Sequence, residues 1–443
     1  MNNTNQILIY DKLIKKLKFK DITVGVIGLG YVGLPRALAF SEKKIPVIGF
    51  DIEEEIITTL IKGKTHIKHI NEKRISDCIE SGLFSVTNDF SKIVNVDVII
   101  ICVPTPLKDE NQPDISCITS TLASLKSFLK KGQTLILEST TYPGTTEEVL
   151  KPFLIESGFN IGNDFYLLYS PEREDPANKE YKYYEIPKLI GGITNKCTNI
   201  GKILYELIDY EVIILSTTKA AEMTKLLENI YRAINIGLVN EMKALADCFN
   251  LDLYEIIKAA STKPFGFKPF YPGPGVGGHC IPIDPYYLTW KAKEFGMEMK
   301  LINSAAEINS SMPSFVTKKI INSLEVNNKK INQSIILILG MSYKKNIDDY
   351  RESPSFIIID LLIKRKSKVY FNDPLIGDKQ RKFISEKMSI EFIQITPENL
   401  RKFDCVVLLT DHDDYDYELI KTNSNIIIDT RGKFKNANNV MRA

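Results

Sequence analysis

Residues 23–33 read TVGVIGLGYVG, a short apolar run that leads directly into glycines spaced as GxGxxG. Apolar residues at helical spacing follow from 34 to 40, and a second apolar run, 46–50, ends at Asp51. This order of strand, glycine turn, helix and strand, with an acidic residue about twenty positions on, is typical of a dinucleotide-binding βαβ unit. The stretch therefore predicts a parallel α/β sheet that binds a dinucleotide at the glycine turn.

The C-terminal part of the chain repeats this order of strands. Residues 334–340 resemble the first strand, 368–373 resemble the strand that ends at Asp51, 404–410 resemble 97–105, and 425–430 resemble 134–140. Only Gly340 stands where the first half has its glycines, so close backbone approach to a pyrophosphate is not expected there. The basic residues that follow, Lys344, Lys345 and Arg351, favour another anionic ligand, and a solvated basic loop is the alternative.

A long helix is predicted between the two halves. Residues 217–249 contain no proline, and at 1.5 Å per residue the helix would be roughly 50 Å long. We therefore predict an α/β protein of two Rossmann-like, doubly wound domains joined by a long central helix. The predicted division is a dinucleotide domain over 1–213 with a helical extension over 1–20, a central helical dimerisation domain over 214–312, and the second Rossmann-like domain over 313–443.

Composition excludes several classes of partner. Lys and Arg number 57 against 55 Asp and Glu, so the net charge of +2 provides no general attraction to nucleic acid or to an anionic membrane. The apolar runs are strand-sized, and the N-terminus does not resemble a secretory signal. The seven cysteines lack the paired spacing of a zinc site or a disulfide framework. We expect a cytoplasmic protein with no metal, no nucleic acid and no membrane partner.

A second informative stretch surrounds Cys280. Residues 271–285 read YPGPGVGGHCIPIDP, which is too rich in glycine and proline for a helix or a strand and indicates a shaped loop. A thiolate can add to an aldehyde, and oxidation of the resulting thiohemiacetal gives a thioester that water cleaves. Such chemistry needs a base, oxyanion-stabilising groups and a group that activates water. The polar candidates are Asp284, Lys225, Asn229, Thr140 and Glu172.

Specific motifs extend over most of the chain. They are GLGYVGLP at 28–35, VPTP at 103–106, ESTTYPGTT at 138–146, SPEREDP at 170–176, GPGVGGHCIPIDP at 273–285 and YKKNIDDYRESP at 343–354. In these motifs, over about residues 22–431, the chain resembles the UDP-glucose/GDP-mannose dehydrogenase family. The resemblance implies an oxidoreductase that uses NAD to oxidise the C6 hydroxyl of a nucleotide sugar, with the UDP-sugar bound by the domain over 313–443.

The resemblance also implies a role for each motif residue. Cys280 looks like the nucleophile, Lys225 like the group that handles the alcohol proton and steadies the oxyanion, and Glu172 like the glutamate of thioester hydrolysis. Asn229 and Asp284 resemble their hydrogen-bonding companions, and Thr140 lies near the reacting carbon. The implied NAD contacts are Gly28, Gly30, Tyr31, Val32, Gly33, Asp51, Pro104, Thr105, Ser139, Thr140 and Arg351. The implied substrate contacts are Glu172, Arg173, Lys225, Asn229, Phe267, Tyr271, Gly275, Gly277 and Lys344. No metal is implied.

A few further residues narrow the choice of cofactor and of sugar substrate. Acidic side chains at 53–55 follow Asp51 and argue against a 2′-phosphate, which favours NAD over NADP. Family members often carry Lys or Arg five positions after this aspartate, where the present chain has Ile56. The SPERED and GGHC forms of two motifs resemble the branch that acts on N-acetylated UDP-hexosamines, especially UDP-N-acetylglucosamine. Arg173 could then contact the acetamido group or a phosphate.

These residues lead to one main hypothesis and several alternatives. The main hypothesis is a four-electron oxidation of a UDP-N-acetylhexosamine by a homodimer that uses two NAD per turnover, in surface polysaccharide synthesis. UDP-glucose and the N-acetylated mannosamine and galactosamine sugars are alternative substrates. A two-electron dehydrogenase of the hydroxyacid type would not need Cys280, and a nucleotide-sugar-binding protein would show no turnover.

Overall fold

The computed structural model describes residues 3–67, 70–173, 183–278, 281–434 and 437–443. They divide into two compact units. The N-terminal unit comprises Met1–Glu228 and Tyr286–Gly296, and the C-terminal unit comprises Asn229–Pro285 and Met297–Ala443. The division predicted above, with boundaries at 213 and 312, stays a prediction.

The N-terminal unit is built on a sheet whose order is β3-β2-β1-β4-β5-β6-β7-β8 among the described residues. Its strands are β1 (Val24–Ile27), β2 (Val47–Phe50), β3 (Phe84–Thr87), β4 (Val98–Ile101), β5 (Thr134–Leu137), β6 (Tyr166–Tyr169), β7 (Lys188–Gly192) and β8 (Val212–Ile214). Every neighbouring pair is parallel except β6 and β7, which are antiparallel. The strand order reverses at β1 and β4, and the glycine turn follows β1 at this switch point, where α/β sheets bind ligands.

Helices cover both faces of this sheet. They are α1 (Asn3–Lys18), α2 (Gly33–Glu42), α3 (Glu54–Ile61), α4 (Glu72–Glu80), α5 (Ser116–Leu125), α6 (Lys151–Glu156), α7 (Asn195–Glu206) and the beginning of α8 (Thr218–Cys248). The central strands β1, β4, β5 and β6 are buried at every residue, as expected of parallel strands between two helical layers. Leu13 and Leu17 of α1 are buried in the same core, so the N-terminal extension packs on the unit.

The C-terminal unit repeats the architecture with a fully parallel sheet of order β11-β10-β9-β12-β13-β14. Its strands are β9 (Ile335–Leu339), β10 (Lys368–Asn372), β11 (Glu391–Phe392), β12 (Cys405–Leu408), β13 (Ile427–Asp429) and β14 (Val440–Arg442). The remaining helices are α9 (Leu253–Ala260), α11 (Lys300–Val326), α12 (Pro354–Ile363), α13 (Asp378–Met388), α14 (Pro397–Leu400) and α15 (Tyr417–Asn423), together with α10 (Asp284–Lys293), which belongs to the N-terminal unit from Tyr286 onward. The predicted fold class, with two Rossmann-like sheets and a long helix between them, is confirmed.

Within the described ranges, no helix combines the length and the apolar composition that crossing a bilayer requires.

Candidate functional site

The glycines of the first turn have distinct steric roles. Gly28 has φ +88°, and a Cβ added there would lie 2.8 Å from the carbonyl oxygen of Cys102. A Cβ at Gly33 would lie only 1.8 Å from the carbonyl oxygen of Gly28. A Cβ at Gly30, in contrast, would have no atom of the described residues within 4 Å, apart from Gly30 and its two chain neighbours. Packing of the chain itself therefore requires Gly28 and Gly33, whereas Gly30 leaves space that a pyrophosphate can occupy.

Asp51 is tied to the glycine turn. One of its carboxylate oxygens accepts a hydrogen bond from the backbone N–H of Leu29 over 2.8 Å, and the other accepts from Glu53 over 3.0 Å. The carboxylate is thus fixed at the end of β2, beside the turn, where the ribose of a bound dinucleotide is expected. These residues fit NAD: the glycine turn would hold its pyrophosphate and Asp51 its ribose.

The other predicted NAD contacts follow nearby strands of the same unit. Thr105 and Ser139 are buried after β4 and β5, and the Ser139 hydroxyl donates to the carbonyl of Val103 over 2.7 Å. Tyr31, Val32 and Thr140 are half-buried, and Pro104 is exposed. Their contacts with NAD stay predictions.

Glu222 organises the segment that follows β5, a role that the sequence did not indicate. Its carboxylate accepts hydrogen bonds from the N–H of Gly144 over 2.5 Å, from the N–H of Thr146 over 2.9 Å and from the Thr146 hydroxyl over 2.7 Å. Burial raises the pKa of Glu222 to about 7, although the hydrogen bonds from Gly144 and Thr146 act in the opposite direction. Helix α8 thereby holds the YPGTT segment through one buried acid.

Two predicted catalytic side chains are bonded to each other in the C-terminal unit. Asn229 on α8 donates from Nδ2 to Oδ2 of Asp284, the first residue of α10, over 2.5 Å, and both side chains are buried. Lys225 lies one helical turn before Asn229 on α8 and is also buried. Burial of Lys225 does not fit a solvated helix face, and its catalytic role stays a prediction.

The cysteine loop is packed on the YKKNIDDYRESP segment. Cys280 itself, with His279, lies outside the described residues. A Cβ at Gly277 would lie 2.7 Å from Cβ of Tyr343, and a Cβ at Gly275 would lie 3.1 Å from Pro354. The N–H of Gly278, which has φ +84°, donates to the carbonyl of Arg351 over 3.2 Å. Glycine is therefore required where these two segments meet, which explains a glycine run that sequence alone identified only as a shaped loop.

Predicted substrate contacts in the C-terminal unit are accessible. Phe267 and Tyr271 are exposed, and Lys344 is half-buried. Phe267 is among the residues that line an open hollow of about 550 Å³, with Tyr231, Leu238 and Phe270. Arg351, the predicted NAD contact from this unit, pairs through Nη2 with Asp349 over 2.7 Å. Ligand contacts of these residues stay predictions.

Glu172 and Arg173 of the SPERED motif contact different residues of the N-terminal unit. Arg173 pairs with Glu228 through Nη2 over 2.6 Å and donates from Nη1 to the carbonyl of Pro187 over 2.7 Å. Glu172 accepts from Nη2 of Arg36 over 2.7 Å. Sequence reasoning missed Arg36, and the available signal was a cation in the otherwise apolar stretch 34–40.

The second half reproduces the first turn in altered form. Asp373 follows β10, as Asp51 follows β2, and its Oδ2 accepts from the N–H of Met341 over 2.8 Å and of Ser342 over 3.0 Å. Nε2 of buried His412 lies 3.2 Å from the same oxygen. Burial acts to raise the pKa of Asp373, but the hydrogen bonds from His412 and the backbone outweigh it, so the pKa is lowered. The Asp373 carboxylate thus stabilises the loop that follows β9.

Comparison with known proteins agrees with this arrangement. The NAD-binding, central and UDP-binding domains of the UDP-glucose/GDP-mannose dehydrogenase family match residues 22–209, 219–311 and 337–436. A UDP-N-acetyl-D-mannosamine dehydrogenase from Pyrococcus horikoshii is 34% identical over 424 residues, which cover 93% of this chain and 96% of that protein. A UDP-N-acetyl-D-glucosamine 6-dehydrogenase from Pseudomonas aeruginosa is 35% identical over 360 residues, with coverage of 81% and 84%.

Solved structures show the same relationship. A structure of the UDP-D-ManNAc dehydrogenase from Pyrococcus horikoshii superposes with a TM-score of 0.84 at 32% identity, and the match covers 95% of this chain and 98% of that one. The predictions of family, enzyme class and cofactor are therefore confirmed. The chain belongs to the UDP-glucose/GDP-mannose dehydrogenase family and is an NAD-dependent nucleotide-sugar 6-dehydrogenase.

Proposed function

We propose that the substrate is a UDP-N-acetylhexosamine, in the first place UDP-N-acetylglucosamine, and that its C6 hydroxyl is oxidised to the carboxylate. The SPERED and GGHC motif forms support an acetylated sugar, as do the relatives named above, which are dehydrogenases of acetylated UDP-sugars. Those relatives differ in the stereochemistry of the sugar. The choice of the glucosamine form therefore rests on the motif forms alone.

The observation that carries the mechanism is the buried Asn229–Asp284 pair one helical turn beyond buried Lys225. In this proposal Lys225 accepts the C6 hydroxyl proton and then, as a cation, stabilises the oxyanion, while Asn229 and Asp284 hold a water or the reacting oxygen. Thr140 contributes a hydroxyl near the reacting carbon. Bound NAD supplies the hydride acceptor at each of the two oxidations.

Cys280 and Glu172 act in the second half of the reaction, in which the aldehyde is oxidised to the carboxylate. The Cys280 thiol adds to the C6 aldehyde, and oxidation of the thiohemiacetal leaves a thioester. Glu172 takes a proton from water as the water oxygen bonds to the thioester carbonyl carbon and the carbon–sulfur bond breaks. The products are the uronic acid and the restored thiol, so each sugar consumed yields two NADH.

The test measures NADH formed per sugar consumed, in separate reactions with UDP-N-acetylglucosamine, UDP-N-acetylgalactosamine, UDP-N-acetylmannosamine and UDP-glucose. Two NADH and uronic acid from UDP-N-acetylglucosamine, at the highest kcat/KM of the set, is the expected result. Turnover of UDP-glucose alone would refute the acetylated substrate. A Cys280→Ala enzyme that still forms two NADH per sugar would refute the thioester route.

We further propose that the enzyme is a homodimer in the cytoplasm. One face of α8 within the C-terminal unit exposes apolar side chains, namely Tyr231, Leu238, Met242 and Leu245, and Phe249 follows the helix. Their spacing places them on one stripe, and a second copy of the helix is the occupant that such a stripe fits. The cytoplasmic location is supported by the described cysteines, all of which are free thiols, and by the need for a reduced Cys280.

A further inference from the structure

Four charged side chains meet in the interior of the N-terminal unit. They are Arg36, Glu138, Glu172 and Lys188, here called the ionic quartet. Arg36 Nη2 lies 2.7 Å from Oε2 of Glu172, and Arg36 Nε lies 3.2 Å from Oε2 of Glu138. Lys188 Nζ lies 3.1 Å from the same Glu138 oxygen and 3.7 Å from Oε2 of Glu172. Two cations thus balance two carboxylates.

The topology explains why the carboxylates are close together. Glu138 directly follows β5 and Glu172 comes soon after β6, and these neighbouring parallel strands end in register, with Leu137 beside Tyr169. Two buried carboxylates at adjacent strand ends repel each other unless cations compensate their charges. Arg36 on α2 and Lys188 at the start of β7 provide that compensation.

The two acids of the ionic quartet differ in their surroundings. Glu138 has no exposed side-chain surface, and its Oε1 accepts a short hydrogen bond from the Tyr205 hydroxyl. Glu172 keeps 11% of its side chain exposed while its Oε2 is bound by Arg36. Arg36 itself is 1% exposed and also donates from Nη1 to the Tyr210 hydroxyl over 2.7 Å. Three side chains therefore hold the guanidinium, and Glu172 is the more exposed of its two acidic partners.

We propose that Arg36 is a positioning residue for thioester hydrolysis, which fixes the Glu172 carboxylate in its ionised form and in one orientation, with Lys188 as the second counter-charge. The inference rests on the role proposed for Glu172. A carboxylate can take the proton of the attacking water only while it is ionised and only from a defined direction. The Arg36 guanidinium meets both conditions, because Glu138 and Tyr210 hold it in place while its Nη2 donates to Glu172.

The alternative is a quartet that serves folding alone. Loss of Arg36 would then lower stability, because a buried acid would lose its partner, but it would not change which chemical step is slow or how that step depends on pH. The two cases therefore separate in the kinetics of the acyl-enzyme.

The experiment compares Arg36→Gln, Arg36→Lys and Glu172→Gln with the unchanged enzyme and with Arg74→Gln. Arg74 is a matched control because it forms a paired contact with Glu42, at 2.6 and 3.0 Å, on the surface of the same unit. Each folded enzyme is mixed with NAD and UDP-N-acetylglucosamine, and NADH formation is followed at pH values from 6 to 9.5. Intact-protein mass spectrometry of quenched samples then detects the acyl adduct on the enzyme.

For Arg36→Gln we expect a burst of two NADH per active site, accumulation of the adduct and a steady rate about tenfold lower at pH 7. The rate should recover as pH rises, because without the guanidinium the Glu172 carboxylate keeps its proton to higher pH. Arg36→Lys keeps the positive charge but lacks the several N–H donors of the guanidinium. Its pH profile should therefore match that of the unchanged enzyme, while its rate of thioester hydrolysis stays reduced. Arg74→Gln should match the unchanged enzyme.

The outcomes separate the inference from the function on which it rests. If Glu172→Gln accumulates adduct but folded Arg36→Gln shows neither adduct nor a displaced pH profile, Arg36 does not position Glu172. If Glu172→Gln accumulates none, the proposed role of Glu172 is itself wrong. Should Arg36→Gln fail to fold, Arg36→Lys decides, and hydrolysis at the unchanged rate overturns the inference.

Discussion

At the scale of single residues, Gly33 and Gly30 should respond differently to the same added methyl group. Gly33→Ala places Cβ 1.8 Å from the carbonyl oxygen of Gly28, so the turn must move, and we expect a loss of roughly 3 kcal/mol or more in unfolding free energy. The added methyl group of Gly30→Ala meets no atom within 4 Å among the described residues beyond its chain neighbours. The variant should fold normally but bind NAD about tenfold or more weakly, because the methyl group occupies the space of the pyrophosphate.

Urea denaturation and NAD titration by fluorescence measure the two effects separately. A Gly30→Ala enzyme with unchanged NAD affinity would show that the pyrophosphate does not approach this glycine. A Gly33→Ala enzyme as stable as the original would contradict the crowded geometry of the turn.

Glu222 should make stability depend on pH. Burial raises its pKa in the folded protein from 4.5 to about 7. A raised pKa contributes stability that is complete below the unfolded value and is lost as pH rises through the folded value. Relative to Glu222→Gln, which does not titrate, the native enzyme should therefore lose up to about 3 kcal/mol of unfolding free energy between pH 4.5 and 7.

Urea denaturation of both proteins at pH 5 and pH 8 measures this difference. A difference between the two proteins that is the same at both pH values would show that Glu222 does not titrate in this window.

At this scale the sequence predicted residues whose neighbours in the chain reveal them. Asp51 is recognisable because it ends the strand after a glycine turn, and the structure places its carboxylate on that turn. Arg36 and Glu222 were assigned no role because their partners lie far along the chain, at Glu138 and Glu172 for the first and at Gly144 and Thr146 for the second. Only folding brings such pairs together.

At the scale of elements, α8 and α11 position the cysteine loop through a relay of buried amides. The Asn309 side chain of α11 donates to the carbonyl of Ala233 over 2.9 Å and accepts from Nδ2 of Asn240 over the same distance. Oδ1 of Asn240 then accepts from the N–H of Gly273 over 3.0 Å. The first residues of the PGPGVGG run are thus hydrogen-bonded to the helix that carries Asn229.

Asn240→Ala should leave the Gly273 N–H and the Asn309 oxygen without this partner, which costs about 1–3 kcal/mol for each buried group. We expect lower stability and a higher KM for the nucleotide sugar, with a smaller change in kcat. Steady-state kinetics and urea denaturation test this. Asn327→Ala is the control, since its amide donates to the Ser323 carbonyl one turn back on α11, away from the cysteine loop in sequence. An unchanged KM in the Asn240 variant would disprove the relay.

Elements were the most predictable level of this structure. The helix predicted over 217–249 is observed as Thr218–Cys248, and each strand predicted in the second half overlaps an observed strand. Helical spacing of apolar residues over a long segment and short apolar runs of strand length are local signals. They can therefore be recognised without knowledge of the fold. The antiparallel pairing of β6 with β7 was not predicted, because strand direction depends on the path of the connection.

At the scale of the whole molecule, the apolar stripe of α8 should control assembly. Leu238 is 54% exposed and Leu245 is 48% exposed, and glutamates at both positions would place charges on the proposed dimer contact. We expect Leu238→Glu/Leu245→Glu to sediment as a monomer of 50.3 kDa where the original sediments as a dimer. Val326→Glu, at an exposed apolar position after the core-facing part of α11, is the control. A double variant that remains dimeric would place the contact elsewhere.

The sequence by itself determined the fold class, the cofactor and the family, because a glycine turn, a strand-end acid and a cysteine loop are each written in consecutive residues. Tertiary structure alone decided the Asn229–Asp284 hydrogen bond, the hydrogen bonds of Glu222 to the YPGTT segment and the ionic quartet that contains Arg36. These contacts join residues 55, 78 and 136 positions apart. Their energies depend on burial and on the direction of each donor, and both are properties of the packed chain rather than of its order.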